Sequence, residues 1–276
     1  MQTLLSIAGF DPSSGAGVTA DLMVFAAHGL FGTSCITALT VQSTVGVRRV
    51  IPVSSTVVRE TLVCLDEDLP PAGIKIGMLG TSDNVAAVCD YLERIRVSGR
   101  PAPVVLDPVV QSSSGAALLD EAGIRLMSPG LLGLVDWVTP NTGELERLSG
   151  TAVRSRADVE GASRSLQEQV FAATGRRVGI LAKGGHMGKP DDFLLDEAGH
   201  ATWLDGERVQ TSSTHGTGCA LSSAFMSELV LGRSPEEAAR RAKMYVTRAL
   251  QTAVPIGDGS GPINHLWPRV QVPDAE

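Results

Sequence analysis

The chain has 276 residues, 43% of them hydrophobic, and a net charge of −7 from 30 acidic residues against 23 lysines and arginines. The acidic balance argues against a general nucleic-acid binder, and the apolar stretches are too short and too interrupted to span a bilayer. No linker-like stretch divides the chain, so we expect one domain over residues 1–270 and a short tail at 271–276. The first residues lack the basic region of a secretory signal.

Short apolar runs alternate along the chain with segments of helical periodicity. The apolar runs predict buried strands, and the periodic segments predict helices. Strands that are apolar throughout and separated by helices indicate an α/β fold with a mostly parallel sheet covered on both faces. The predicted strands are 3–9, 34–42, 73–79, 102–110, 134–141 and 177–185, and the predicted helices are 15–29, 84–96, 158–174, 217–231 and 235–253.

Polar motifs follow most of the predicted strands. Parallel sheets bind ligands in the crevice at the carboxyl ends of their strands, so this clustering predicts a ligand site there. The motifs are GFDPSSGAG, TVQST, GMLG, DPVV, TPNTGE and KGGH.

Two common nucleotide-binding motifs are not satisfied. GAGVTA at 15–20 matches the glycine pattern of a dinucleotide-binding turn, but no acidic residue for the ribose stands between Asp21 and Glu60. The nearest approach to a phosphate-binding P-loop, GGHMGKP at 184–190, has the wrong spacing and no hydroxyl residue after its lysine. Any nucleotide chemistry therefore requires another scaffold.

The segment HGTGCALSS at 215–223 combines glycines with a cysteine at a predicted helix start. Gly216 and Gly218 allow a tight turn whose backbone N–H groups converge, and the helix adds further unpaired donors. This geometry suits a phosphate or a developing oxyanion. Cys219 would lie at the helix N-terminus, where a thiol pKa falls below about 8.5. The alternative is a glycine-rich cap with a packed cysteine.

The four cysteines, Cys35, Cys64, Cys89 and Cys219, are widely spaced and form no CxxC pair. The spacing indicates neither a zinc site nor a redox motif. Free thiols in a reducing cytoplasm are the expectation that follows.

Three further motifs have two interpretations each. Asn141 and Glu144 suit hydrated Mg²⁺ or phosphate, but they also form the pattern of a helix capping box. Lys183, at the end of a buried strand, requires a phosphate or a carboxylate partner. Asp107 is either a turn residue or a carboxylate on the metal side. Together with the anion hole, these groups match the requirements of phosphoryl transfer.

In their order, several segments resemble the bacterial hydroxymethylpyrimidine/phosphomethylpyrimidine kinases of thiamine biosynthesis. The resemblance covers residues 3 to 267 and implies a three-layer α/β/α ribokinase-like fold without a separate lid domain, usually as a homodimer. The segments are IAGFDPSSGAGVTADL, ITALTVQSTVGV, IKIGMLG, VLDPVV, TPNTGE, LAKGGH, THGTGCALSSA and GDGSGPINH.

The resemblance implies ATP and Mg²⁺ as cofactors and 4-amino-5-hydroxymethyl-2-methylpyrimidine and its monophosphate as substrates. Gln42 would read the amino group and ring nitrogen, since a carboxamide offers one donor and one acceptor side by side. Cys219 would be the base or would orient the hydroxyl, with Gly216, Thr217 and Gly218 around the transferred group. The same resemblance places Gly9, Asp21, Met78 and Val109 in the substrate pocket, Lys183, Asn141, Glu144 and Asp107 at the ATP phosphates, and Glu144 and Asp107 on the Mg²⁺ side.

Two alternatives stay open at this stage. Pyridoxal also carries a hydroxymethyl group on its ring, so a pyridoxal kinase or a dual kinase is the closest one. A non-catalytic pyrimidine sensor is the second, although Cys219, Lys183 and Glu144 are all present. The sequence departs from the common family pattern at Ser14, Ser43 and Asp258, where glycine, asparagine and histidine are usual.

Overall fold

The structure is a computed structural model that describes residues 1–100, 102–112, 115–185 and 188–268. The predicted tail at 271–276 lies outside the described residues. Nine strands of the described chain form one sheet: β1 Thr3–Phe10, β2 Phe31–Ser43, β3 Gly46–Pro52, β4 Gly73–Ile76, β5 Val104–Leu106, β6 Trp137–Val138, β7 Gly179–Ala182, β8 Asp192–Leu195 and β9 Ala201–Leu204.

The strand order is β3-β2-β1-β4-β5-β6-β7-β8-β9. The pairs from β2 to β7 are parallel, whereas β3 at one edge and β8 and β9 at the other pair in antiparallel fashion. This arrangement confirms the mostly parallel sheet. These three edge strands are not among the strands predicted from the sequence.

Helices cover both faces of the sheet. Each central strand sends alternate side chains to opposite faces: Leu4 packs in one core, and Leu5 packs in the other. Helices α1, α7 and α8 bury their apolar side chains on the Leu4 face, and α2 to α6 lie on the other. The helices are α1 Gly17–Ala27, α2 Ser55–Asp68, α3 Ser82–Val97, α4 Glu121–Met127, α5 Thr142–Ser149, α6 Arg156–Thr174, α7 Thr217–Val230 and α8 Pro235–Gln251.

The last two helices begin as predicted and end slightly earlier. Pro235 opens α8, and the Ser234 hydroxyl accepts a hydrogen bond from the Glu237 N–H at 3.3 Å. The three-layer architecture carries no separate lid among the described residues, since β3 simply extends the main sheet. Within the described chain, no helix has both the length and the apolar character needed to cross a membrane.

Candidate active site

A cavity of about 540 Å³ lies at the carboxyl ends of the parallel strands. It collects residues from distant parts of the chain because the loops that follow these strands meet at one edge of the sheet. All the predicted site residues except Asp21 line it: Gly9, Gln42, Met78, Asp107, Val109, Asn141, Glu144, Lys183, Gly216, Thr217, Gly218 and Cys219.

The glycine–cysteine loop opens helix α7 at the cavity wall. Gly216 has a φ of 85°, and a Cβ there would lie only 1.7 Å from the carbonyl oxygen of Gly15. No other residue fits this position without moving the backbone. The first turn of α7 leaves its N–H groups without intrahelical acceptors. The predicted anion hole therefore has a structural basis in the close contact of two loops.

The Cys219 thiol differs from the expectation in one respect. Burial raises its pKa to about 11; Lys75 acts in the opposite direction, and Asp21 and Asp107 raise the pKa further. The helix N-terminus predicted a lowered pKa, but this prediction did not include burial or two carboxylates that are distant in sequence. In the free protein at neutral pH, the thiol is protonated.

Asp21 was predicted to lie in the substrate pocket, but it does not line the cavity and lies in the protein interior. Its two carboxylate oxygens each accept a hydrogen bond from Lys75 Nζ at 2.9 Å. The hydroxyls of Ser6 and Ser223 donate to the same carboxylate at 2.6 and 2.7 Å. Both charged side chains are fully buried, and Lys75 is the one that borders the cavity. Asp21 therefore acts on the site by fixing the Lys75 ammonium group and by its own charge, which raises the pKa of Cys219.

Lys75 was missed by the sequence analysis. It lies inside the apolar run GIKIGML, and its partner is 54 positions away in the sequence. Burial alone would lower the pKa of a lysine, but Asp21, Cys219 and Asp107 together outweigh burial and raise the pKa of Lys75. The ammonium group is thus a fixed positive charge at the cavity wall.

The sequence predicted either a phosphate or a carboxylate partner for Lys183, and the structure shows a carboxylate. Its Nζ donates to Asp107 Oδ1 at 2.6 Å and lies 3.8 Å from Glu144 Oε2. A Cβ on Gly218 would lie 3.4 Å from the same Nζ. The ammonium group is therefore directly beside the anion hole, where it also suits a phosphate.

Asn141 and Glu144 form the predicted capping box at the start of α5. Asn141 N–H donates to Glu144 Oε2 at 2.7 Å, and Glu144 N–H donates to Asn141 Oδ1 at 2.9 Å. Burial raises the pKa of Glu144 to about 7, Lys183 lowers it, and Asp107 raises it. The cap holds the carboxylate in the cavity wall, and the raised pKa shows that its charge is only partly compensated there.

A turn after β1 forms another part of the wall. Asp11 Oδ1 accepts hydrogen bonds from the backbone and hydroxyl of Ser13, and Asp11 Oδ2 accepts one from Ala16 N–H. His215 Nε2 lies 2.7 Å from Asp11 Oδ2. Neither Asp11 nor His215 was among the predicted site residues, and both line the cavity. Only the fold brings them together, across 204 positions of the sequence.

The segment 257–265, from the C-terminal part of the chain, packs against loops beside the cavity and does not line it. A Cβ on Gly257 would lie 2.4 Å from Thr44 Oγ1, and a Cβ on Gly259 would lie 2.1 Å from the Thr44 carbonyl oxygen. The β2–β3 turn therefore packs tightly on this segment. His265 Nε2 lies 3.0 Å from the Gly15 carbonyl oxygen.

Comparison with known proteins places this fold and site in context. The phosphomethylpyrimidine kinase family matches residues 11–264. A hydroxymethylpyrimidine/phosphomethylpyrimidine kinase from Haemophilus influenzae is 37% identical over 272 residues, which cover 96% of this chain and 97% of the relative. The crystal structure of a phosphomethylpyrimidine kinase from Clostridium difficile has a TM-score of 0.78 at 31% identity, covering 91% and 100% of the two chains.

A pyridoxal kinase is also similar in structure. The Staphylococcus aureus enzyme in complex with AMP-PCP and pyridoxal has a TM-score of 0.82 at 28% identity and covers 96% of this chain and 94% of that one. The sheet, the cavity and these relatives define a phosphotransferase with the ribokinase-like fold. The chain belongs to the phosphomethylpyrimidine kinase family.

Proposed function

We propose that this protein transfers the γ-phosphoryl group of ATP to the hydroxymethyl group of 4-amino-5-hydroxymethyl-2-methylpyrimidine, and then a second phosphoryl group to the monophosphate. The observation that carries this proposal is that Gln42, Cys219 and Lys183 line the same cavity. The relative from Haemophilus influenzae, named for both reactions, supports the same pair of steps. We further propose that the protein works in the cytoplasm as a homodimer.

In the proposed reaction the substrate hydroxyl oxygen attacks the γ-phosphorus, and the bond from that phosphorus to the bridging oxygen of ADP breaks. The hydroxyl proton passes to the thiolate form of Cys219. The N–H groups of Gly216, Thr217 and Gly218 surround the transferred group, and Lys183 balances its charge. Lys75 stabilises the thiolate electrostatically, because it lowers the pKa of the Cys219 thiol.

The residues present fit a hydrated Mg²⁺ ion that is held in part by the phosphates of ATP. Glu144 and Asp107 offer the carboxylate oxygens that Mg²⁺ prefers, and the charge of Glu144 is incompletely balanced. Among the described residues, no group of three or more His, Cys, Asp and Glu side chains could hold a metal ion. Mg²⁺ supplies charge neutralisation of the phosphates when it is bound.

Replacing Glu144 with glutamine is expected to weaken the apparent affinity for Mg²⁺ in the turnover reaction. Because the pKa of Glu144 is about 7, its carboxylate is mostly protonated at pH 6 and mostly ionised at pH 8. The apparent Mg²⁺ affinity of the wild type should therefore rise from pH 6 to pH 8. The Glu144→Gln variant should show a weaker affinity and a smaller rise, since only the terminal phosphate of ATP still ionises over this range.

Titrating Mg²⁺ at several pH values in a steady-state assay measures this effect. Glu121→Gln is the matched control, since Glu121 is an exposed carboxylate that pairs with Arg147 outside the cavity. An unchanged pH dependence in Glu144→Gln would assign the metal to other groups.

Replacing Gln42 with alanine is expected to discriminate between ring substrates. An aminopyrimidine would lose a donor and an acceptor that match its amino edge, at a cost of about 10- to 100-fold in kcat/KM. Pyridoxal lacks that edge and should lose much less. Separate kcat/KM values for the two acceptors measure the difference, and equal losses on both would contradict the proposed contact.

The proposed function is tested by release of ADP from Mg-ATP in the presence of one acceptor at a time. Turnover with hydroxymethylpyrimidine and its monophosphate, and little with pyridoxal, is the expected result. Turnover with pyridoxal alone would favour the second candidate, a pyridoxal kinase, which the similarity to the Staphylococcus aureus enzyme supports. A lack of turnover with all three would favour a sensor.

A further inference from the structure

The carboxamide of Gln42 lies between two polar groups that each have a second partner. Its Nε2 is 3.1 Å from His215 Nε2, and its Oε1 is 3.2 Å from Thr40 Oγ1. The same His215 nitrogen is 2.7 Å from Asp11 Oδ2. The Thr40 hydroxyl is also 3.0 Å from the Phe10 carbonyl oxygen.

The number of available protons does not allow all four contacts with the carboxamide in this orientation. A hydroxyl has one proton, so Thr40 would have to share it between the Phe10 and Gln42 oxygens. One imidazole nitrogen cannot both donate to Asp11 and accept from an amide N–H. Asp11 needs the donor, because hydrogen bonds from His215 and Ser13 outweigh its burial and hold its pKa below the ordinary value.

Turning the carboxamide by 180° removes the conflict at His215, since this rotation exchanges its oxygen and its nitrogen. His215 then has its proton on Nε2, donates it to Asp11 at the shorter distance and shares it with the Gln42 oxygen. Thr40 donates to Phe10 and accepts from the Gln42 NH₂ group. No atom has to donate and accept at once, and the loop holds the imidazole in place: a Cβ on Gly15 would lie 2.1 Å from His215 Cδ2.

We propose that Asp11 and His215 are positioning residues, which hold the Gln42 oxygen on the His215 side and its NH₂ group on the Thr40 side. This inference rests on the proposed function and deepens it. The second lone pair of the Gln42 oxygen and the second N–H of its NH₂ group then face the substrate, the acceptor on the His215 side and the donor on the Thr40 side. The amino group of an aminopyrimidine lies on the His215 side, and the neighbouring ring nitrogen lies on the Thr40 side.

This order has a consequence for the reacting group. On the proposed substrate the hydroxymethyl carbon is attached next to the amino-bearing carbon, on the side away from that ring nitrogen. An amino group on the His215 side therefore directs the hydroxymethyl group toward the loop that contains His215 and Cys219. The opposite orientation of the carboxamide would direct it away from the thiol.

The first test concerns the free protein and needs no substrate. A long-range ¹H–¹⁵N NMR spectrum of the protein distinguishes a proton on Nε2 of His215 from one on Nδ1. We expect Nε2 to be protonated. A neutral ring with its proton on Nδ1 alone would overturn the proposal, whatever the protein phosphorylates.

The second test measures the coupling between His215 and Gln42. We expect His215→Phe to lower kcat/KM for the aminopyrimidine about 10-fold, with a raised KM from the misdirected hydrogen bond and a lowered kcat from the misdirected hydroxymethyl group. His215→Gln, which keeps a donor, should restore part of the loss. The double variant with Gln42→Ala should lose no more than Gln42→Ala alone, because one residue acts through the other.

The matched control is His200→Phe, which removes a histidine that pairs with Asp196 at 2.9 Å on the surface. Its KM should not change. Additive losses in the double variant, or an equal rise in KM for pyridoxal, would overturn the positioning role. If the wild type phosphorylates no aminopyrimidine, the proposed function fails, and the NMR spectrum still decides the orientation.

Discussion

Replacing Cys219 with alanine is expected to lower kcat by about 10²–10⁴-fold, the usual effect of losing a general base, with little change in ATP binding. The thiol borders the cavity beside Lys75 and the first turn of α7. Steady-state kinetics and ATP titration measure the two quantities separately. Unchanged turnover would leave only the backbone N–H groups as the catalytic element.

The pH dependence gives this prediction a second readout. Because the pKa of Cys219 is about 11, the thiolate fraction rises about tenfold for each pH unit below that value. The ratio of wild-type to Cys219→Ala turnover should therefore rise with pH between about 7 and 10. Glu144 titrates equally in both proteins, so its contribution cancels in the ratio. A constant ratio would mean that the thiol orients the hydroxyl without accepting its proton.

Replacing Lys75 with methionine is expected to lower the free energy of unfolding by about 3–5 kcal/mol, because it leaves the Asp21 carboxylate buried without a counter-charge. Two hydroxyl donors, Ser6 and Ser223, would remain. They are neutral and cannot replace the ammonium group. Denaturant unfolding of the two proteins under the same conditions measures the difference.

A double variant separates the charge from the shape of the side chain. Lys75→Met with Asp21→Asn removes both charges and keeps an oxygen that accepts from the two serines. It should be more stable than Lys75→Met alone, because no unpaired charge remains. Equal stability of the single and double variants would show that packing, rather than charge, accounts for the loss.

The sequence predicted the central strands and a site at their carboxyl ends, because apolar runs and the polar residues that follow them are local signals. The outermost strands, β3, β8 and β9, were missed, and β3 and β9 lack these local signals. β3 contains the adjacent Arg48 and Arg49, and only Leu204 of β9 is buried, so neither strand forms a buried apolar run. Such strands are formed by pairing with a neighbour, which no local pattern records.

For the candidate site, too, the sequence predicted what local motifs indicate and missed what the tertiary fold determines. Lys183 and Glu144 belong to motifs that follow predicted strands, so the sequence indicated both. Lys183 donates to Asp107, and Glu144 accepts from the Asn141 N–H. Lys75 and Asp11 were not indicated, because their roles depend on partners 54 and 204 positions away. The Cys219 pKa was predicted in the wrong direction because burial and Asp21 come from the tertiary fold.

The contact between His265 and Gly15 joins segments that are 250 positions apart, and this distance bears on how the enzyme is made. A ribosome that has produced the sheet and most of its helices has not yet produced the segment that packs against Thr44 and Gly15. The nascent chain can therefore bury most of its core before this segment is available. The loops that contain Gly15 and Thr44 are close in sequence to the cavity residues Ala16 and Gln42, and they gain their contacts with residues 257–265 only after that segment has left the ribosome.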